Sequence, residues 1–391
     1  MMTGMENTED LLSIGVFARR VGLAPSALRF YADCDVLCPS YVDNATGYRY
    51  YGPEQEPRAR LIRRLRQAGL PLVEVAAVLD GTPQESREIL RRHARTARET
   101  AAATQLAIDH VLRDLLADGS IQPNHESTVG NGENTDGGTE MVNAAEGAAV
   151  NARIGGAELF SAVRQVSPAV AIGAAREGFP ALGRVLIELD DREVRLVATD
   201  RYRLAVRVLR SGSAIGGVSQ ILVDAQELKE AASWALPRLE IELEITGRQV
   251  RISADGQSRE LSGCGEAFPS YRMILDHLPA AETRVIIDRE AFRRTLTPGE
   301  GDGPVAVRTA ADRLLVSSPG STETSLRAIC TGPPIRIAFD PAMLLPVLEA
   351  GVGPDVLLEI SSPRQPVVVR SADQGSFTTL VMPVATALVG D

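Results

Sequence analysis

The chain has 391 residues, 44% of them apolar, and carries 51 acidic against 41 basic residues for a formal net charge of −10. That size exceeds one ordinary domain, so two to four compact units are expected. The acidic balance excludes a protein that is basic over its whole surface, although a net figure averages over units and hides a basic one. The four cysteines, Cys34, Cys38, Cys264 and Cys330, are scattered and imply no disulfide framework. Cys34 and Cys38 lie one helical turn apart, but no histidine or second cysteine pair is near enough to complete a metal site. The start, MMTGMENTEDLL, is polar and acidic, unlike a signal peptide, and no apolar run is long enough to span a membrane. A cytoplasmic protein without metal or cofactor is the expectation.

Residues 11–82 read as a small, mildly basic unit. In LLSIGVFARRVGL, Ile14, Phe17, Ala18 and Val21 share one helical face behind Ser13 as N-cap. Gly22 permits a tight turn, and APSALRFYADCDVL supplies a second helix, giving helix, turn, helix. NATGYRYY (44–51) follows as a small hairpin or wing. ARLIRRLRQAGLPLVEVAAVLDG gives two more helices, split at Gly69–Pro71. Pro57 falls early in the first of these, so that helix is expected to start late.

From residue 83 to 118 the pattern is helical throughout. Leu90, Ala94, Ala97, Ala101, Thr104, Ile108, Val111 and Leu115 recur at steps of four and three. Such a helix is about 50 Å long. It cannot bury its seam on so small a head, and pairing with a second copy solves that economically. Residues 119–153, with GNGENTDGGTE, are too poor in large apolar groups to offset their ordering entropy and read as a flexible linker. Its reach is roughly 30 Å if it behaves as a Gly-rich coil.

Beyond the linker the texture changes to short strands and occasional helices. AELFSAVRQVSPAVA, VLIELDDREVRLVATD, ILVDAQELKEAASWAL and LEIELEITGRQVRISADG lead to FPSYRMIL. A similar order then runs from TRVIIDREAFRRTLT to FTTLVMPV. This is an internal repeat, by pattern, of about 110–120 residues. Domains are placed at 154–279 and 280–391.

Residues 13–82 resemble the MerR (mercury-resistance regulator) family of winged helix-turn-helix proteins, through SIGVFARRVGL, LRFY (28–31), GYRYY (47–51) and LIRRLRQAGLPLVEV (61–75). A helix in a major groove needs short polar groups and a cation at its start, which Ser26 and Arg29 supply. Tyr48 and Arg49 of the wing, with Arg63, Arg64 and Arg66, suit phosphate contacts. The alternative is that the tyrosines are core and the arginines a solvated face; Tyr31 and Tyr50 read as core, Arg29 and Arg49 as DNA contacts. Ser26 and Ala27 stand where the family carries a long polar group and Thr, which implies a different operator. The resemblance implies a homodimer joined by the helix at 83–118, a bent or twisted promoter spacer and RNA polymerase as a partner at the promoter.

Residues 155–386 resemble the central and C-terminal domains of the bacterial DNA polymerase III β subunit, the sliding clamp, through LVATDRYRLAVR (196–207), FPSYRMIL (268–275) and LVMPV (380–384). The fold class that follows is multidomain: an all-α, winged helix-turn-helix head with a long dimerisation helix, then two α+β clamp-like domains. In the clamp these segments line a pocket that captures short peptides. Carried over, its residues are Leu182, Thr199, Arg201, Tyr202, Arg203 and Leu204 from the first domain, and Pro269, Met273 and Ile274 from its end. Met343, Val381, Met382 and Pro383 complete it from the second. Such an apolar groove with a polar rim fits a short apolar peptide. Asp200 of the ATDRYR turn is placed to bond nearby backbone amides. The inner helices carry few cations, Arg293 and Arg294 being the exception, so the tail makes a poor DNA sleeve. No catalytic triad, metal cluster or phosphate loop stands out, and His277 reads as a surface residue; no enzyme is expected. The reading is a transcriptional regulator whose clamp-like module binds a peptide motif or a clamp-directed cyclic peptide; the alternative is a replication or repair accessory that presents a clamp-like dock on DNA.

Overall fold

The computed structural model describes residues 11–117, 150–190, 192–212, 214–215, 218–296, 303–319, 322–371 and 373–384. The strand β1 (Leu12–Ser13) runs into helix α1 (Ile14–Val21), and α2 (Pro25–Asp33) follows. Between them Gly22 sits at φ 68°, the left-handed position at a helix C-terminus that glycine fills without a Cβ clash. Ser13 stands at the N-cap of α1, but its hydroxyl makes no cap hydrogen bond. Strands β2 (Tyr41–Val42) and β3 (Arg49–Tyr51) form the wing, and the order β1-β3-β2 ties it to the start of the chain. Helices α3 (Glu56–Gln67) and α4 (Leu72–Asp80) complete the head. The expected late start of α3 is not seen. The helix begins at Glu56 with Pro57 in its first turn, where the missing N–H has no intrahelical partner to lose. Phe17 and Tyr51, both fully buried, stack with ring centroids 4.8 Å apart, and Leu28, Ile62, Leu70 and Leu72 close around them.

Helix α5 (Pro83–Ala117) opens on a reciprocal cap. The Thr82 N–H donates to Glu85 Oε2 at 2.8 Å, and the Glu85 N–H donates to Thr82 Oγ1 at 3.3 Å. This pairing satisfies orphan donors at both residues. On the expected seam Leu90 is 40% exposed, and Ala97 and Ala101 are exposed. The expected linker lies outside the described residues as far as 149. Its last four residues instead belong to a strand, β4 (Val150–Ile154), because Val150, Ala152 and Ile154 alternate into the core.

The first lobe continues with α6 (Gly156–Val166), α7 (Gly173–Gly178), β5 (Arg184–Asp190), β6 (Glu193–Thr199), β7 (Arg203–Arg210), β8 (Ala214–Ile215) and β9 (Ser219–Asp224). It ends with α8 (Ala225–Ala235), β10 (Ile241–Thr246), β11 (Gln249–Ala254), β12 (Gln257–Cys264) and α9 (Tyr271–Asp276). The second lobe has β13 (Thr283–Asp288), α10 (Arg289–Leu296), β14 (Val305–Ala310), β15 (Arg313–Ser317), β16 (Thr324–Thr331) and β17 (Arg336–Phe339). After them come α11 (Pro341–Ala350), β18 (Asp355–Ile360), β19 (Val367–Ser371) and β20 (Gln374–Val381). Every strand pairing is antiparallel, and each lobe has its own apolar core beneath its helices. The repeat shows in one shared device: Asp224, the last residue of β9, and Asp340, directly after β17, each cap the next helix, accepting at 2.8 Å from Gln226 N and Ala342 N.

The lobes join where β7 pairs with β20, Arg203 opposite Val381 and Leu204 opposite Leu380. A smaller cluster of Leu186, Val197, Leu204, Val206, Leu222, Tyr271 and Leu380 is buried there, with Phe268 and Leu275 against it.

Candidate functional site

In the head, Ser26 and Arg29 lie exposed on the first turns of α2. The wing turn is built by Asp43, whose carboxylate accepts from the Ala45 N–H at 2.8 Å, while its carbonyl accepts from Gly47 N at 2.7 Å. The Ala45 N–H first, and then the Thr46 hydroxyl and N–H, hold the Asp43 carboxyl below its usual range. Tyr48, 47% exposed, has its ring centroid 5.6 Å from that of Tyr50, and Tyr41 lies 5.9 Å from the same ring. Arg49 is tied to Asp33 at the end of α2 by a 2.7 Å ion pair that joins wing and helix. Tyr31 is buried and Tyr50 half-buried. On α3, Arg63 and Arg64 are exposed.

Arg66, expected on the same phosphate-facing row, is placed otherwise. Its side chain is only 6% exposed and ion-paired with Asp355, which is fully buried at the start of β18. It also pairs with Asp373 at 2.8 Å, in the turn between β19 and β20. The other Asp355 oxygen accepts from the Leu72 N–H, the first of α4, at 2.7 Å. Arg66 is thus turned into the second lobe. An N–H in the first turn of a helix has no partner within it, and here the lobe supplies one. Burial pushes the Asp355 carboxyl up to about 6 against the pull of Arg66 and the Leu72 N–H.

The TDRYR turn between β6 and β7 is held by its aspartate. Asp200 Oδ1 accepts from the N–H of Tyr202 at 3.0 Å and of Arg203 at 2.7 Å, and Oδ2 accepts from the Arg203 guanidinium at 2.9 and 2.6 Å. Thr199 Oγ1 donates to Arg203 O at 2.6 Å. The turn forces Arg201 to φ 81°, rare for a residue with a side chain. Of the residues expected to line the pocket, Thr199 and Arg203 therefore act as buried braces. Leu182, Leu204 and Val381 are also buried. The turn projects Tyr202 outward at 61% exposure. On α9 Met273 is 62% and Ile274 43% exposed, with Pro269 exposed before them. The chain after β20 crosses below: Met382 N donates to Tyr202 O at 2.8 Å, and Val384 N donates to Ala338 O at 2.9 Å. Met382, Pro383 and Met343 remain half-exposed.

Sequence reasoning missed several neighbours. Phe179, 51% exposed, lies under the Arg201 guanidinium 4.9 Å from its ring centroid. The stretch around α9 is anchored by Glu188, only 7% exposed, which accepts from the Tyr271 hydroxyl and, at 3.0 Å, from Arg272. Beside it lies a cleft of about 590 Å³ lined by Leu186, Leu222, Cys264, Phe268, Pro269 and Met273 among others. The buried carboxylate offered the only sequence signal, as the one acid in an otherwise apolar VLIEL strand. His277 is exposed, its Nδ1 2.8 Å from Met273 O. On α10, Arg293 and Arg294 bond Glu290 at 2.8 and 3.2 Å. Hydrogen bonds from Arg293, then the charges of both arginines, hold Glu290 down to about 2.

Residues 12–82 match the family described as MerR HTH family regulatory protein, and residues 153–265 match the DNA polymerase III beta subunit, central domain. The chain therefore joins a MerR-type helix-turn-helix head to a sliding-clamp-like module. At the level of single proteins, it is 34% identical over 125 residues to the transcriptional regulator BrlR of Pseudomonas aeruginosa, across 30% of this chain and 46% of that one. It is 28% identical over 253 residues to the beta sliding clamp of Streptomyces coelicolor, across 58% of this chain and 65% of the clamp. The chain thus spans less than two thirds of these curated relatives. A crystallised Pseudomonas aeruginosa sliding clamp bound to griselimycin shares the fold at TM-score 0.56 with 21% identity, over 63% of this chain and 68% of that one. No helix among the described residues is long and apolar enough to cross a membrane.

Proposed function

We propose that the protein is a MerR-type transcriptional regulator that reads duplex DNA through α2 and the wing, and whose clamp-like module binds a short peptide or a clamp-directed cyclic peptide. Two copies pair through the seam of α5, on which Leu90, Ala97 and Ala101 are exposed, and the DNA is a promoter with two half-sites, where RNA polymerase is the further partner. The observation that carries the ligand reading is the junction of β7 with β20. Next to it the Met382 N–H donates to the Tyr202 carbonyl, and the module exposes Tyr202, Met273 and Ile274 and half-exposes Met382 and Pro383. Flexible Met and Leu side chains around a few polar groups suit an apolar ligand. A clamp of the same fold carries griselimycin, which makes that cyclic peptide the natural probe. The head reading rests on exposed Ser26, Arg29 and Tyr48 over a braced wing.

Titration of the full chain with griselimycin by calorimetry tests the module. Saturable binding by the wild type, lost in Met382→Asp because a charge then faces the apolar ligand, is the expected result; an absence of heat in the wild type, or binding that survives the variant, refutes it. Selection from a random duplex library tests the head. An enriched site with two-fold symmetry is expected, and recovery of no sequence refutes sequence-specific reading.

A further inference from the structure

Arg66 and the N-terminus of α4 together form an anion site on the head, and Asp355 and Asp373 of the second lobe fill it. The elements are those an isolated phosphate would want: a buried guanidinium, and a helix-terminal N–H at Leu72 aimed at the same group. Arg63 and Arg64 sit exposed within the preceding turn of α3. The Arg66 charge also acts on the buried Tyr31 hydroxyl on α2, opposing the rise that burial gives its pKa.

We propose that the Asp355–Asp373 carboxylate pair is an intramolecular stand-in for a DNA phosphate, an autoinhibitory latch that withholds Arg66 from the duplex while the head is docked. The proposal rests on the head being the DNA-binding part. A buried pair of this kind gains little in net terms, because desolvation offsets attraction, yet removing one partner is severely felt. Asp355 shows the first half of that balance in its raised pKa, where burial outweighs the attraction of Arg66. A contact of small net gain and strict dependence on both partners is one that a competing polyanion can displace. The latch also has a path to the proposed ligand site. Asp373 precedes β20, and β20 ends at Val381, directly before Met382 and Pro383, so that site and the latch share one strand.

The test uses the full chain and changes only the lobe. The double variant Asp355→Ala with Asp373→Ala is compared with wild type and with Asp312→Ala, which removes one exposed carboxylate of the same lobe and reads the effect of losing a surface charge alone. Binding to a 30-base-pair duplex of arbitrary sequence is followed by fluorescence anisotropy over a salt series, since a phosphate contact is independent of sequence. Amide exchange around Leu72 is measured by mass spectrometry. The double variant should lose protection around Leu72 and bind on the order of tenfold more tightly, as one charge-assisted contact becomes available. Its salt dependence should steepen by about one phosphate, with Asp312→Ala like wild type. Lost protection with unchanged or weaker DNA binding overturns the latch, as does retained protection. DNA binding that needs Arg29 but ignores the carboxylates overturns the latch alone. No DNA binding by any form overturns the DNA-binding reading with it. If the double variant fails to unfold cooperatively, Asp373→Ala, at a 38% exposed site, carries the same comparison with a smaller effect.

Discussion

The Tyr271 hydroxyl is the cleanest place to perturb the wall of the cleft beside Glu188. Tyr271 is 4% exposed and its ring is packed against Leu186 and Leu222, so Tyr271→Phe keeps the ring and opens no cavity. What it removes is one hydrogen bond to Glu188, a carboxylate 7% exposed whose remaining partner there is Arg272, itself 51% exposed. A hydrogen bond to a buried charge is worth about 1.5–3 kcal/mol when its loss leaves that charge short of a donor. For lobes of this size, where 1 kcal/mol shifts Tm by roughly 3–5 °C, that lowers Tm by roughly 5–15 °C. Pro269, Met273 and Ile274 flank the anchor, so affinity for griselimycin should fall with it. Arg272→Ala, at a half-exposed pair, should cost less than about 1 kcal/mol. Scanning calorimetry and titration of both variants decide the matter; a Tyr271→Phe protein melting within about 1 °C of wild type, with unchanged affinity, refutes the anchor. The sign with pH is fixed too. Burial first, and then the bond to Glu188 and its charge, raise the Tyr271 pKa. The hydrogen bond's contribution is therefore complete below the ordinary tyrosine range of about 10 and is lost only as pH rises through the higher folded value.

Arg49→Ala should weaken DNA binding and make its salt dependence shallower by about one phosphate, with the fold intact by circular dichroism; unchanged binding removes the wing from the interface. Leu90→Glu, placed on the exposed seam of α5, should shift the protein from dimer to monomer in sedimentation, because a buried like-charge pair would replace an apolar contact. Burial raises the Cys330 thiol to about 11 and raises Cys34 as well. Both should resist iodoacetamide at pH 8 until the protein is unfolded, as read by mass spectrometry, since the thiolate is the reacting species.

Much of this architecture was legible in the chain because it is local. The glycine at 22, the spacing of Ile14, Phe17, Ala18 and Val21, and the aspartate of TDRYR act over a few residues. The same physics that writes them into sequence builds the turn, the helix face and the braced loop. The start of α3 was misplaced because Pro57 excludes only an interior position, and the first turn accepts it. The end of the linker was misplaced because four alternating residues say little until a partner strand, β10, is present to pair with Val150–Ile154.

Local pattern determined most of the helices, strands and turns, and even their order in the repeat, since propensity and periodicity depend on near neighbours. Only the tertiary structure decided which charges are spent inside the protein. Arg63, Arg64 and Arg66 are equivalent as letters, yet one of them meets Asp355, 289 residues away. Whether a cation faces solvent or a carboxylate depends on that distant partner, and no spacing within α3 carries the information.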